Sequence, residues 1–278
     1  MGRLKTYGLV GYPVKHSLSP LMYNAAFNEL GVEAEYKLFE VRPGDLENFL
    51  LIREDVRGFN VTIPYKVSAF SILRKSGFLP GGPGYPFLVG AINTVSRDDK
   101  SYFNTDAPGF IRSLREDLGF EPSGKEVLVL GCGGAGRAVI GGLLSARAAR
   151  VHVYELNADT RRAGKEYFFA WKEVCFLDQR DSLPAVIERV SLLVNATPVG
   201  MKDGDGSPVE RSWLHGRLYV YDVVYNRVTR LLKDAKGPAC GGLGMLLWQG
   251  VLAFGIWTKM AAPVDLMRSE LERGLNRD

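Results

Sequence analysis

Apolar residues in this chain recur in two rhythms, alternating in some stretches and returning every three to four residues in others. The clearest switch falls at residues 125–142, KEVLVLGCGGAGRAVIGG. Val127 to Leu130 is an unbroken apolar run, which predicts a strand buried on both faces. Gly131, Gly133 and Gly136 follow in the spacing G-x-G-x-x-G, and the small-residue pattern AVIGGLLSA then predicts a helix. In such a strand-turn-helix unit the first glycine allows the tight turn, the second lets backbone approach a pyrophosphate, and the third lets helix pack on strand. The helix start offers free N–H groups and the positive end of its dipole to the phosphates. A glycine-rich turn with no ligand is the plainer alternative, but the full context favours a dinucleotide site.

Upstream, residues 7–11 predict a short strand running into GYPVKHSLSP, where Ser17 and Ser19 alternate and can present two hydroxyls on one side. PLMYNAAFNELG predicts an amphipathic helix closed by Gly31. Residues 34–41 alternate as a strand, and 45–52 predict a helix with Asp45 as its N-cap. GFNVTIPYK predicts a strand running into Pro64 and a helix carrying Val67, Phe70 and Leu73; Asn60 and Thr62, two apart, share a face. Residues 79–87, rich in Gly and Pro, read as a loop. Strands at 91–96 and 101–104 flank the turn at 97–100, and Asp106 precedes a helix to Leu118, where it can serve simply as an N-cap.

The second half alternates cleanly. Strands are expected at 151–155, 174–177, 191–197 and 218–224, with helices at 159–170 and 183–189 between the first three. A glycine-rich link at 239–243 leads into a long apolar helix at 245–259, and a last helix spans 264–274. The whole predicts an α/β protein of two domains. Residues 1–106 plus 240–278 would form a parallel or mixed-sheet domain to which the C-terminal helices return, and 107–239 a nucleotide-binding domain.

Composition narrows the class. With 278 residues, 46% hydrophobic and 24% charged, the chain builds a full core and reads as a globular protein. A net charge of +4 suits phosphate or carboxylate ligands and falls short of a nucleic-acid signature, so no nucleic-acid partner is expected. Cys132, Cys175 and Cys240 have no paired spacing, and His16, His152 and His215 are dispersed; neither disulfide nor metal is expected, which fits a reducing cytoplasm. No apolar run reaches the roughly 18 residues of a membrane span, and no signal-peptide core opens the chain. Met1-Gly2 with Thr6 matches a loose myristoylation pattern, read as chance because a strand starts directly behind it.

Polar residues crowd the strand ends of the first half: Ser17, Ser19, Asn60, Thr62, Lys66, Asn93 and Asp106. Such positions form the usual ligand crevice of a parallel sheet, and these residue types suit a polyhydroxylated ligand, with the serines able to take a carboxylate. Lys66 and Asp106 would form an acid–base pair, because hydride transfer to a ketone leaves an alkoxide that an ammonium can protonate. A carboxylate would hold that lysine charged and aligned. Each taken singly also reads as a solvated lysine and a capping aspartate.

The segments GYPVKHSLSPLMYN, GFNVTIPYK, GAINTV, NTDAPG, GCGGAGRA, NATPVGM, YDVVY and GLGMLLWQG resemble, in order, the signature segments of the shikimate dehydrogenase family. The resemblance runs from about Gly8 to Trp257. It implies an oxidoreductase with a Rossmann dinucleotide domain that interconverts 3-dehydroshikimate and shikimate in aromatic amino-acid biosynthesis, using NADP, with NAD as the alternative. Its catalytic pair falls on Lys66 and Asp106, its carboxylate ligands on Ser17 and Ser19, and its other substrate contacts on Asn60, Thr62, Asn93, Tyr225 and Gln249. Cofactor contacts fall on Gly131, Cys132, Gly133, Gly134, Ala135 and Gly136, and on Thr197, Val223, Gly242 and Met245. Monomers and homodimers are both compatible with it. An NAD-linked quinate/shikimate dehydrogenase is the nearest rival, and a non-catalytic NAD(P)-binding sensor a more distant one.

Three departures from the family pattern stand out. Tyr23 takes the place of a usual histidine and is expected to be peripheral. Pro80 to Gly84 replaces a usual helix. At the end of the second nucleotide-domain strand stand Glu155-Leu156-Asn157 in place of an Asn-Arg-Thr type segment that grips a 2′-phosphate. Glu155 lies near the offset at which an acid binds the ribose 2′-hydroxyl of NAD. Arg161, with Arg162, could instead reach the phosphate of NADP, or serve only as solvated helix charge.

Overall fold

A computed structural model describes residues 4–276 of the chain. Met1 and Gly2 of the acylation-like pattern lie outside the described residues. The chain forms two compact units, one built from the chain up to Asp106 together with Leu247 onward, the other from Ala107–Leu246.

The first unit opens with strand β1 (Lys5–Gly11), helix α1 (Ser19–Glu29), strand β2 (Ala34–Glu40), helix α2 (Leu46–Leu51) and strand β3 (Val56–Val61). Helix α3 (Lys66–Leu73), strand β4 (Leu79–Pro80), helix α4 (Tyr85–Val89) and strands β5 (Thr94–Ser96) and β6 (Ser101–Phe103) follow. They form one mixed sheet in the order β2-β1-β3-β5-β6-β4, parallel through β2, β1 and β3 and antiparallel from β3 to β5 to β6. Helix α5 (Asp106–Glu116) starts at the unit's last residue.

Two local expectations need correction. The segment 79–87 is no plain loop: Leu79 and Pro80 pair with β6, and α4 forms between Gly84 and Gly90, both left-handed. Five residues are too few to show a helical period, and the glycines that suggest a loop are its two ends. Asp45 makes no side-chain cap on α2, because residues 43–45 already form a 3-10 turn that feeds the helix.

The second unit contains β7 (Glu126–Leu130), α6 (Gly134–Ser145), β8 (Arg150–Tyr154), α7 (Ala158–Tyr167), β9 (Val174–Leu177) and α8 (Leu183–Arg189). It continues with β10 (Leu192–Asn195), β11 (Tyr219–Asp222), α9 (Arg230–Asp234) and β12 (Ala239–Gly241). Every strand is parallel, in the order β9-β8-β7-β10-β11-β12. That is the doubly wound Rossmann order, with its switch point between β7 and β10. The unbroken apolar run of β7 has a simple cause. Val127 and Val129 face one core with Phe110 of α5 and Val139 of α6, while Leu128 and Leu130 face a second with Val186 and Ile187 of α8.

The link expected at 239–243 is in part a strand, β12, whose three residues are too short to announce themselves. It leads into α10 (Leu243–Thr258), followed by α11 (Val264–Leu275). The second unit runs to Leu246 instead of ending at residue 239, since β12 completes its sheet and Gly244 packs against Ser113 and Asp117 of α5. No helix among the described residues is long and apolar enough to cross a membrane.

Candidate active site

In the first unit, α3 begins at Lys66, directly after the cis Ile63–Pro64 bond that follows β3. The Lys66 ammonium donates to Asp106 Oδ2 at 2.6 Å, with the two side chains only 13% and 5% exposed. Asp106 is the first residue of α5 and not the residue before it, and its carboxylate serves this pair. Its other oxygen, Oδ1, accepts from Asn93 Nδ2 at 2.9 Å. Breaking such a buried pair from one side leaves an uncompensated charge, at a cost of about 3–5 kcal/mol.

Asn93 is the centre of the cluster. Its Oδ1 accepts from the backbone N–H of Thr105 at 2.7 Å, and its Nδ2 also reaches Thr105 Oγ1 and Gln249 Oε1. Gln249 on α10, 7% exposed, thus belongs to this cluster and not merely to an apolar helix face. Ser17 and Ser19 hydrogen-bond each other at 3.2 Å in the loop before α1, and Thr62 follows β3, half-buried.

Asn60, near the end of β3, is tied into the same network. Its Oδ1 accepts from the hydroxyls of Tyr23 (3.0 Å) and Tyr36 (2.8 Å), and its Nδ2 donates to Asn93 O and Thr94 Oγ1. An amide has two donors and two acceptor sites. All four are taken within this network, so Asn60 also braces the cluster. Tyr23, expected to be peripheral, is fully buried and stacks on Tyr36. Burial holds both phenols well above the ordinary tyrosine range, so they act only as neutral donors.

The second unit carries the glycine turn between β7 and α6. Gly131 has φ +96, and a Cβ there would meet Ala196 O at 2.9 Å. At Gly136 a Cβ would lie 2.2 Å from Gly131 O, so both positions require glycine. At Gly133 nothing lies within 4 Å, which leaves the approach a pyrophosphate needs. Gly134 and Ala135 open the first turn of α6, where unpaired N–H groups collect. This turn fits a dinucleotide.

At the end of β10, Thr197 is fixed through Asn195, whose Oδ1 accepts from both the Thr197 N–H and its hydroxyl. Asn195 in turn donates to Asp222 Oδ1 at 2.9 Å, and Thr229 donates to Asp222 Oδ2 at 2.6 Å. Sequence reasoning missed Asn195 and Asp222, although they end the adjacent strands β10 and β11, the first of which borders the switch point. Val223 follows Asp222, Tyr225 is half-buried two residues on, Gly242 packs on the Val223 backbone, and Met245 is buried on α10. Cys132 lies inside the turn, its thiol pushed up to about 12 by burial. It is a packing residue, not a nucleophile.

Beyond β8, the Glu155 carboxylate accepts from Cys132 N at 2.7 Å and from Asn157 N at 2.8 Å. Asn157 caps α7, its Oδ1 accepting from Thr160 N. The Arg161 guanidinium is drawn back onto the carbonyl of Glu155 at 2.8 Å. No group of His, Cys, Asp or Glu suited to a metal ion occurs among the described residues.

Residues 9–77 match the model of the shikimate dehydrogenase substrate binding domain, and residues 242–272 that of the shikimate 5′-dehydrogenase C-terminal domain. The chain is 40% identical to shikimate dehydrogenase (NADP(+)) of Geobacter metallireducens, with 99% of each chain covered. The chain belongs to the shikimate dehydrogenase family. Two solved members of this family fit the fold closely. Shikimate 5-dehydrogenase of Thermus thermophilus in complex with NADP(H) and shikimate is 34% identical, with a TM-score of 0.83 over 97% of this chain and 99% of that one. The Listeria monocytogenes enzyme in complex with shikimate and NAD is 32% identical, with a TM-score of 0.82 over 98% and 97%.

Proposed function

We propose that this chain is a shikimate dehydrogenase, catalysing the reversible reduction of 3-dehydroshikimate to shikimate with NADPH, as a step of aromatic amino-acid biosynthesis in the cytoplasm. The observation that carries this is the Lys66–Asp106 pair at 2.6 Å, with Asn93 on the second carboxylate oxygen. Reduction of a ketone needs one hydride at carbon and one proton at oxygen. Gly131 to Gly136 would hold the dinucleotide, with Thr197, Val223, Gly242 and Met245 at its nicotinamide end, and NADPH so bound would supply the hydride. Lys66 Nζ supplies the proton to the forming alkoxide, and its hydrogen bond to Asp106 holds the ammonium aimed until that moment. In the oxidative direction the neutral amine takes the proton back.

Ser17 and Ser19 would hold the substrate carboxylate, and Asn60, Thr62, Asn93, Tyr225 and Gln249 its hydroxyls. All these groups come from one chain, so a monomer or a homodimer serves equally, and no nucleic acid or membrane is needed. The test is reduction of 3-dehydroshikimate, followed by loss of NADPH absorbance, for the wild type and for Lys66→Ala of unchanged circular dichroism. Turnover by the wild type that is lost in the variant is expected; equal turnover would remove Lys66 from the chemistry, and none in either would remove the substrate assignment.

A further inference from the structure

The end of the second Rossmann strand is where a dinucleotide fold reads the adenosine ribose: an acid takes the 2′-hydroxyl, and basic groups take a 2′-phosphate. In this chain that place belongs to Glu155, the residue after β8. Its two oxygens each accept one backbone N–H, from Cys132 inside the glycine turn and from Asn157 at the start of α7. The carboxylate is thereby fixed against the turn that would hold the pyrophosphate. An ionised carboxylate has about four acceptor sites, so after these two bonds it can still accept the hydroxyls of a ribose diol.

Three guanidiniums of α6 and α7 already hold other contacts. Arg161 donates to the Glu155 carbonyl, Arg162 donates to Asp159 at 2.7 Å, and the buried Arg137 guanidinium lies over the Tyr167 ring at 5.1 Å, its Nε without a hydrogen-bond partner. A 2′-phosphate at this strand end would meet a fixed negative charge with those three guanidiniums turned to other partners. The diol fits the groups present better than the phosphate does.

We propose that Glu155 is a specificity-determining residue that favours the unphosphorylated ribose, so that this chain binds NAD(H) at least as tightly as NADP(H). The proposal rests on the dinucleotide site put forward above.

Calorimetric titration of the full chain with NAD+ and with NADP+, for the wild type and for Glu155→Gln, tests it without recourse to turnover. Glutamine keeps an acceptor for the Cys132 N–H and removes the charge. The wild type should bind NAD+ as tightly as NADP+ or more so, and the variant should shift the ratio of the two affinities toward NADP+ by about tenfold. Wild-type binding of NADP+ about tenfold or more tighter than NAD+ would overturn the proposal, a result that does not depend on the variant folding. An unchanged ratio in a folded variant would overturn it as well. Failure of both dinucleotides to bind would remove the nucleotide site itself, and the proposal with it.

Discussion

Tyr23 and Tyr36 stack with ring centroids 4.3 Å apart and direct both hydroxyls at a single oxygen, Oδ1 of Asn60. From that oxygen hydrogen bonds continue through Asn60 Nδ2 to Thr94, from Thr94 to Thr105, from Thr105 to Asn93, and from Asn93 to Asp106. The two phenols thus stand at one end of a buried network whose other end is the Lys66 ammonium.

Because the tyrosines share one acceptor, their losses should not add. Either Tyr23→Phe or Tyr36→Phe leaves Oδ1 with one donor, at about 1 kcal/mol. The double variant strands a buried acceptor and should exceed the sum of the two by a further ~1 kcal/mol. A double-mutant cycle from urea unfolding reads this directly, and strict additivity would mean that the hydroxyls do not share a role.

Asp106→Asn separates charge from shape. An amide at this position can accept from Lys66 or from Asn93, but its NH2 group must face the other donor. Turnover should fall by about a hundredfold or more while KM changes little, since what is lost is alignment of the proton donor. Steady-state kinetics check it; a change confined to KM would recast Asp106 as a substrate ligand.

The glycine turn supplies a paired contrast. Gly136→Ala puts a methyl group 2.2 Å from a carbonyl oxygen, so it should lower thermal stability and dinucleotide binding together. Gly133→Ala points into open space, so the fold should melt as the wild type does while binding of either dinucleotide weakens. Melting curves with and without NADP+ distinguish the two, and tight binding by the Gly133 variant would move the pyrophosphate elsewhere.

Cys132 predicts an alkaline weakness. Its thiol titrates at about 12 in the folded chain and near 8.5 when unfolded. A raised folded pKa means stability fully present below about pH 8.5 and lost progressively above it, by up to about 1.4 kcal/mol per pH unit. Denaturant midpoints at about pH 7 and pH 10 should therefore differ more for the wild type than for Cys132→Ala. The same burial predicts that the native thiol resists alkylation until the chain unfolds.

Much of this architecture is legible in the residues alone, and the exceptions share a physical origin. The apolar run at Val127–Leu130 announces a strand covered on both sides, and the glycine spacing announces the turn, because both depend on neighbours in sequence. Lys66 and Asp106 are 40 residues apart and still suggest one another, since buried opposite charges seek pairing. Asn60 is different. A polar residue on a strand end reads as a ligand contact, and nothing nearby reveals that tyrosines 37 and 24 residues away saturate its oxygen. Tyr23 was hidden for the same reason. The short helix α4 and strand β12 escape because five and three residues carry no measurable period.

Every donor and acceptor named around Lys66 belongs to the first compact unit, and every group named around the glycine turn and Glu155 belongs to the second. Proton delivery and choice of electron carrier are therefore separately heritable traits. A lineage exchanging one nicotinamide carrier for the other need alter only a few side chains after β8, leaving the apparatus that handles the sugar-like acid as it was.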